Sequence, residues 1–248
     1  LLAGGLAALV AVLCFGGLVA SWSRGALLGA AGAAALMLIA WTGRPIPALG
    51  ALVGGAALFG LAWAAGVLPA ALVTRLTEFT TQFDFSNIDV RGAYLTSENF
   101  SLIERLAHWQ AAVGMILDHP WLGVGFGNYA AAYEQYRTLR WANPLGHAHN
   151  YYLNIFAETG ILGLLAYLGL WLSVSVAALR ASRQRTSRTA RWMAIGLMGV
   201  IGHLTIHHLF DNLYVANTFL MLGALLGLFV ALCAPTPEET PAATPSPT

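Results

Sequence analysis

Lysine is missing from the 248 residues, and charge of either sign is scarce. Twelve cations, all arginine, and eleven acids make up 9 % of the chain, against roughly a quarter in an average soluble domain. A net charge of +1 leaves no bulk field to steer a polyanion, which excludes nucleic acid as a partner and leaves recognition to local clusters. Cysteine is nearly absent too. Cys14 and Cys233 lie far apart inside apolar runs, where they read as lipid- or core-facing thiols rather than as a disulfide or metal pair. The opening apolar run from Leu1 has no basic n-region and no small-residue cleavage site, so it does not read as a signal peptide. The expectation is a fragment whose N-terminal part lies upstream.

What fills the chain instead is apolar: 58 % of the residues, with a mean hydropathy of +0.67, the composition of a membrane protein. Stretches near 1–20, 25–41, 46–69, 152–179, 192–210 and 212–233 are each about long enough to cross roughly 30 Å of hydrocarbon as helices. The expected fold is therefore all-α, a multi-pass transmembrane bundle of about six spans in this fragment. Only Asp211-Asn212 separates the last two, which leaves either a tight turn or a re-entrant hairpin there. Between spans four and five, "RASRQRTSRTAR" carries five arginines from Arg180 to Arg191 and no acid, so the positive-inside rule makes this loop cytoplasmic. Parity then divides the chain. Residues 1–69 hold three spans, 70–151 form a large, partly helical extracytoplasmic loop, 152–233 hold three more spans, and the Pro/Thr-rich 234–248 is a disordered cytoplasmic tail.

The loop has its own pattern. Ser101 and Glu104 make an S-x-x-E capping box, and Leu102, Leu106, Trp109, Val113, Ile116 and Leu117 follow at helical spacing until Asp118-His119-Pro120 ends the run. This is an amphipathic helix lying on the membrane or over the bundle, with Arg105 at the margin of its apolar stripe. "GVGFGN" reads as a turn. A second helix, "YAAAYEQYRTLRW", follows with Asn128 as its N-cap. G-x-G-x-G without a preceding strand is a weak dinucleotide signal.

Parity also gathers polar residues at one depth. Arg24 at the outer end of span two, Glu158 in span four, His207, His208 and Asp211 at the outer end of span five, and Arg105, His147, His149 and Asn150 of the loop all fall near the external interface. Ionisable groups in or beside spans are costly and mark sites by default. Each also has a plainer role: Arg24 can snorkel, Arg105 can anchor an interfacial helix, Glu158 can tie helices together, and His203, His207 and Asp211 can form a hydrogen-bonded seam on one helix face. An H-x-H pair without a third ligand at useful spacing is a weak metal signal, so no metal and no cofactor are assigned.

Two arginines and a histidine at the outer face of a membrane suit one chemistry well. Guanidinium forks hold phosphate oxygens bidentately and can neutralise charge building on a departing diphosphate, a task often given to a divalent metal. A neutral imidazole can take the proton of an attacking hydroxyl. The residues alone thus point to a transferase acting on a lipid diphosphate.

At the same residues, "SRGALLG", "ERLAHWQAAVGMILDHPWLGVGFGNY" and "HAHNYYLNIFAETGILGLLAYLGLWL" resemble the O-antigen ligase and O-antigen polymerase superfamily of bacterial multi-pass membrane glycosyltransferases, over about residues 20–180. The resemblance implies metal-independent transfer of a glycan from an undecaprenyl-diphosphate carrier to an acceptor hydroxyl, of the lipid A core or another glycan. The location implied is the extracytoplasmic (periplasmic) face of the inner membrane. It further implies that Arg24 and Arg105 bind the diphosphate and that His149 activates the acceptor, with His147, Asn150 and Glu158 as supporting substrate-binding residues. A polysaccharide polymerase of the same superfamily differs only in its acceptor. A polytopic transporter, from another class, would need a polar path across the membrane, and the inner halves of the spans are apolar.

Overall fold

The computed structural model describes residues 2–70, 73–74, 90–97, 99–138, 140–183 and 187–234; the tail beyond 234 and the segment around Asn87 lie outside the described residues. Among these, all regular structure is helical. Helix α1 spans Leu2–Ala20, α2 Arg24–Thr42, α3 Pro45–Ala64, α4 Phe100–Asp118, α5 Tyr129–Tyr136, α6 Tyr151–Arg183, α7 Arg188–His207 and α8 Thr218–Cys233. Three of them, α2, α3 and α6, are long and apolar enough to cross a membrane; α1 and α8 are shorter apolar helices.

The bundle is organised around α2 and α7, which approach so closely that side chains are pared away at their contact. A Cβ added at Gly29 would stand 2.9 Å from the His203 ring, one at Gly32 2.7 Å from Ile206, and one at Gly199 2.7 Å from the sulfur of Met37. Small residues at such spacing let backbones pack in a medium where lipid tails are as apolar as any side chain, so close van der Waals contact, not water exclusion, holds the helices together. Below this seam lies an apolar core of Ala40, Ala178, Ala181, Ala194, Leu197, Met198 and Phe229 from α2, α6, α7 and α8. By contrast α1 and α3 leave most of their apolar side chains exposed, as a lipid-facing helix does.

The sixth apolar stretch departs from expectation. It becomes helical only at Thr218, and residues 208–217 form neither a tight turn nor a hairpin of helices. Side chains there capture the backbone: Asn212 N–H donates to Asp211 Oδ1 (2.9 Å), and Tyr214 N–H donates to Asn212 Oδ1 (2.9 Å). The second bond closes an Asx turn, which competes with helix, and Ala216 and Asn217 complete the bend with positive φ.

Helices α4 and α5 stand on the first turns of α6 and pack around Ala111, Ala112, Met115, Tyr129, Tyr133, Ala148 and Ala157. The capping box expected at Ser101 is displaced. The helix begins at Phe100 with Asn99 as N-cap, and the reciprocal bonds fall upstream, from Thr96 N–H to Asn99 Oδ1 (2.8 Å) and from Asn99 N–H to Thr96 Oγ1 (3.2 Å). The buried face of α4 is also rotated from the expected stripe. Ile103, Leu106, Ala107, His108, Ala111, Ala112 and Met115 are inside, whereas Val113 and Leu117 face out, because alanines permit the close approach of α5 that longer side chains would block.

A break in α6 joins loop and bundle. Gly160 has φ 66 and ψ −170, a conformation essentially reserved for glycine, and it frees backbone groups that the loop then satisfies. Ile161 N–H donates to the Pro120 carbonyl (2.8 Å), while Val124 and Gly125 N–H donate to the carbonyls of Ala157 and Glu158 (both 2.9 Å). Backbones touch here: a Cβ on Gly160 would strike Trp121, and one on Gly123 would strike Glu158 and Thr159. The glycine-rich turn is thus a clamp on α6 and not a nucleotide cradle. Past the break, residues 161–183 extend about 34 Å as helix, enough to cross a bilayer unaided.

Candidate functional site

The clamp places the loop's polar residues over the ends of α2 and α7. His149 precedes α6 in a left-handed conformation, φ 51, strained for a residue with a Cβ and held by its surroundings. Trp109 Nε1 donates to the His149 carbonyl (3.4 Å), fixing the turn to α4. Asn150 accepts from Leu153 N–H through Oδ1 (3.1 Å), capping α6, and donates through Nδ2 to the Leu209 carbonyl (3.0 Å). Tyr151 N–H adds a bond to the His208 carbonyl (2.9 Å). The turn carrying Asp211 is in this way tied to the turn carrying His149.

The consequence is a trio joined by one hydrogen bond and one ion pair. His149 Nδ1 lies 3.1 Å from Asp211 Oδ1, and the Arg105 guanidinium lies 3.8 Å from Asp211 Oδ2. Burial pushes the Asp211 carboxyl up, but the bonds from His149 and Asn212 N–H and the charge of Arg105 outweigh it and hold it at about 2, so it is ionised at any physiological pH. An ionised partner at Nδ1 favours the tautomer with its proton there. His149 Nε2, buried and without a hydrogen-bond partner among the described residues, then carries the lone pair.

His147 sits beside this pair, its ring 4.5 Å from that of His149 and its Nδ1 accepting from His149 N–H (3.1 Å). Burial, His149 and Arg105 push its imidazole down against the pull of Asp211. Arg105 is further steadied by donating to the Ser101 carbonyl (3.0 Å). Arg24 opens α2 behind the N-cap Ser23, and Gly25 next to it leaves room for the His207 ring, 2.8 Å from where a Cβ would stand. Asp211 N–H donates to the His207 carbonyl (3.1 Å), so Arg24 and Asp211 share one end of the bundle.

Glu158 points elsewhere. Its Oε1 accepts from Tyr129 N–H (3.1 Å) at the start of α5, supplying the cap that the side chain of Asn128, although at the N-cap position, does not. The expected helix face of His203, His207 and Asp211 is interrupted as well: α7 closes at His207, His203 and His207 bond to each other (3.2 Å) over the glycines of α2, and Asp211 turns to the loop.

The sequence reading did not single out His108, which is fully buried. Its Nδ1 lies 3.1 Å from the Tyr129 hydroxyl, its ring stacks on Tyr133 at 4.8 Å, and its edge faces His149 at 5.7 Å. Burial first, then His149 and His147, push its imidazole down to about 4, so it is neutral at physiological pH. Spacing held the available signal: His108 follows Arg105 by three residues and so shares its helix face.

The sequence model of the O-antigen ligase family, Wzy_C, matches residues 9–168, which contain Arg24, Arg105, His147, His149, Asn150 and Glu158. The chain belongs to the O-antigen ligase family. A comparison with curated proteins gives no significant match. The family match reaches into α6 and stops before α7, so Asp211, the residue that orients His149 in this O-antigen ligase family member, comes from beyond the matched segment. The match includes both halves of the glycine clamp, Gly123 and Gly160, and that clamp holds this chain's loop onto α6. The third cation ligand missing from the sequence motif is also present: Asp211 lies within ligating reach of His147 and His149.

Proposed function

We propose that this chain transfers a glycan from an undecaprenyl-diphosphate carrier to an acceptor hydroxyl, of the lipid A core or another glycan, at the extracytoplasmic face of the inner membrane. The observation that carries the reading is the His149–Asp211 pair beside Arg105, a general base with its orienting carboxylate next to an anion-binding cation.

In this reading α1, α2, α3, α6, α7 and α8 are six spans, and residues 70–151 lie outside. Leu117 (74 % exposed), Trp121 (69 %), Leu122 (73 %) and Phe126 (77 %) rest in the outer leaflet, level with the point where Ile161 starts the spanning half of α6. Arg24 and Arg105 grip the diphosphate. Arg24 does so at the N-terminus of α2, where backbone N–H groups add to its charge. His149 Nε2 takes the proton of the acceptor hydroxyl as its oxygen attacks the anomeric carbon, and the carrier diphosphate leaves into the arginine clamp with no metal required. His147 lines the acceptor side, and Asn150 keeps His149 in register with Asp211. Glu158 contributes indirectly by holding α5.

A reconstituted assay tests this, with lipid-diphosphate glycan and two acceptors, lipid A core and free glycan, in the presence and absence of chelator. Arg24→Ala, Arg105→Ala and His149→Ala each abolish transfer while membrane insertion stays normal. Wild-type rates in all three variants would sink the assignment, and the preferred acceptor separates ligase from polymerase. For topology, a cysteine at Tyr94 is labelled by an impermeant reagent in intact cells; labelling only after permeabilisation reverses the orientation.

A further inference from the structure

His147, His149 and Asp211 each offer one ligand atom, all within 4.8 Å of one another. Two imidazoles and one carboxylate form a donor set that zinc accepts in sites with an open fourth position. The set is partly assembled already. His149 Nδ1 and Asp211 Oδ1 are 3.1 Å apart, and the turns that carry them are joined by the Asn150–Leu209 and Tyr151–His208 bonds. Zinc–ligand distances of about 2.0–2.2 Å put ligand atoms some 3.3–3.6 Å apart in a tetrahedron, so closure takes side-chain rotation on the order of 1 Å and no change of fold. The side chains of His149 and Asp211 are 16 % and 34 % exposed, open enough for an ion to enter. Arg105 faces the other carboxylate oxygen, Oδ2, and leaves Oδ1 to the ion.

We infer that this trio is a zinc-binding site, and that zinc in it halts glycan transfer by taking Nδ1 of His149 and Oδ1 of Asp211. Coordination at Nδ1 requires the neutral ring's single proton to reside on Nε2. No proton is gained or lost by the ring, but the lone pair that would accept the acceptor's proton is gone. Asp211 is meanwhile drawn toward the ion and away from Arg105. Zinc is thus an inhibitor of a reaction that needs no metal. The binding half of the inference stands on the geometry alone; the inhibition half rests on the reading of His149 as the base.

The test uses the full-length protein without an affinity tag, in nanodiscs and stripped by chelator. Zinc is titrated by competition with a chromophoric chelator, and transfer is followed over the same range. The wild type binds one zinc at the trio, His147→Ala and Asp211→Asn each weaken it by tenfold or more, and His203→Gln leaves it unchanged. Transfer by the wild type falls as zinc fills the site and returns with chelator. For His147→Ala, the zinc concentration halving its own metal-free rate rises by the same factor as its binding constant. Absence of binding, or binding indifferent to His147→Ala, overturns the site and leaves the proposed transfer reaction untouched. Zinc bound at the trio with undiminished transfer overturns the inhibition and, with it, the role of His149 as base. Stimulation by zinc overturns both the inhibition and the metal-free reaction.

Discussion

The bundle and the loop that stands on it are held together by different physics. Where α2 meets α7 the contact is made by omission: glycines bring backbones together, and two histidines fill the notches left over Gly25 and Gly29. In the loop the contact is made by addition, with aromatic rings stacked on a buried histidine and a carboxylate capping a helix it does not belong to. Lipid offers helices no hydrophobic drive to associate, so the first region gains from close packing alone. The second must satisfy every polar group it removes from water, and each lost partner there is expensive. The candidate site lies where the two meet, with Arg24 and Asp211 from the bundle side and Arg105, His147 and His149 from the loop.

Breaking the junction should have the largest effect. Gly160→Val places a branched side chain against the Trp121 backbone at a φ of 66, so the clamp opens and transfer disappears. A cysteine at Ala112, buried under α5, then becomes reactive to a thiol reagent; retention of its protection would show the clamp to be dispensable. Next comes the bond that crosses from loop to bundle end. Asp211→Asn leaves the packing intact but removes the charge that keeps the proton on His149 Nδ1, and kcat is expected to fall about 10²- to 10⁴-fold with little change in KM for the donor. A KM-dominated loss would mean that Asp211 acts on substrate through Arg105 instead.

A change confined to the bundle is expected to be milder. Gly202→Leu overpacks the seam, where even a Cβ would meet the Gly32 carbonyl at 2.5 Å, and should cost about 1–3 kcal/mol, read as a lower melting temperature in detergent. Glu158→Gln sharpens the contrast further. An acceptor oxygen remains for Tyr129 N–H, so a drop of well under about 2 kcal/mol is expected and donor KM stays constant. A raised KM would return Glu158 to the substrate. The last effect is set by pH and concerns His108. Its folded-state value, about 4, lies below the ordinary 6.5, so the unfolded chain binds the extra proton first. Stability is full above about pH 6.5 and declines as pH falls toward 4. Melting temperature should therefore drop a few degrees more between pH 7.5 and 5 in the wild type than in His108→Gln.

Much of this was legible in the residues. The apolar runs are helices near the expected places because hydropathy and length suffice to mark a helix that must satisfy its own backbone in lipid. His149 and Arg105 stood out as polar groups in the loop, and they meet at Asp211. Other features were beyond reach. The stripe on α4 was rotated, because alanine looks neutral in a periodicity count yet is favoured where helices touch. A break at Asp211-Asn212 was legible, but Asp211 was also placed on a helix face, because nothing local says that the helix closes at His207 and that Asp211 turns to the loop. The clamp escaped notice because Gly123 and Gly160 are widely separated in sequence and meet only in space.

Sequence by itself determined the solvent, the helical class and the chemical types available at the interface. Each follows from local composition: apolar runs this long with so little charge read as membrane helices, and the scarce arginines and histidines that interrupt them are the polar chemistry on offer. Only the tertiary structure decided which carboxylate orients His149, that Glu158 serves a helix end, and that two glycines weld the loop to α6. Those are long-range backbone meetings, determined by which surfaces can approach, and no window along the chain contains both partners.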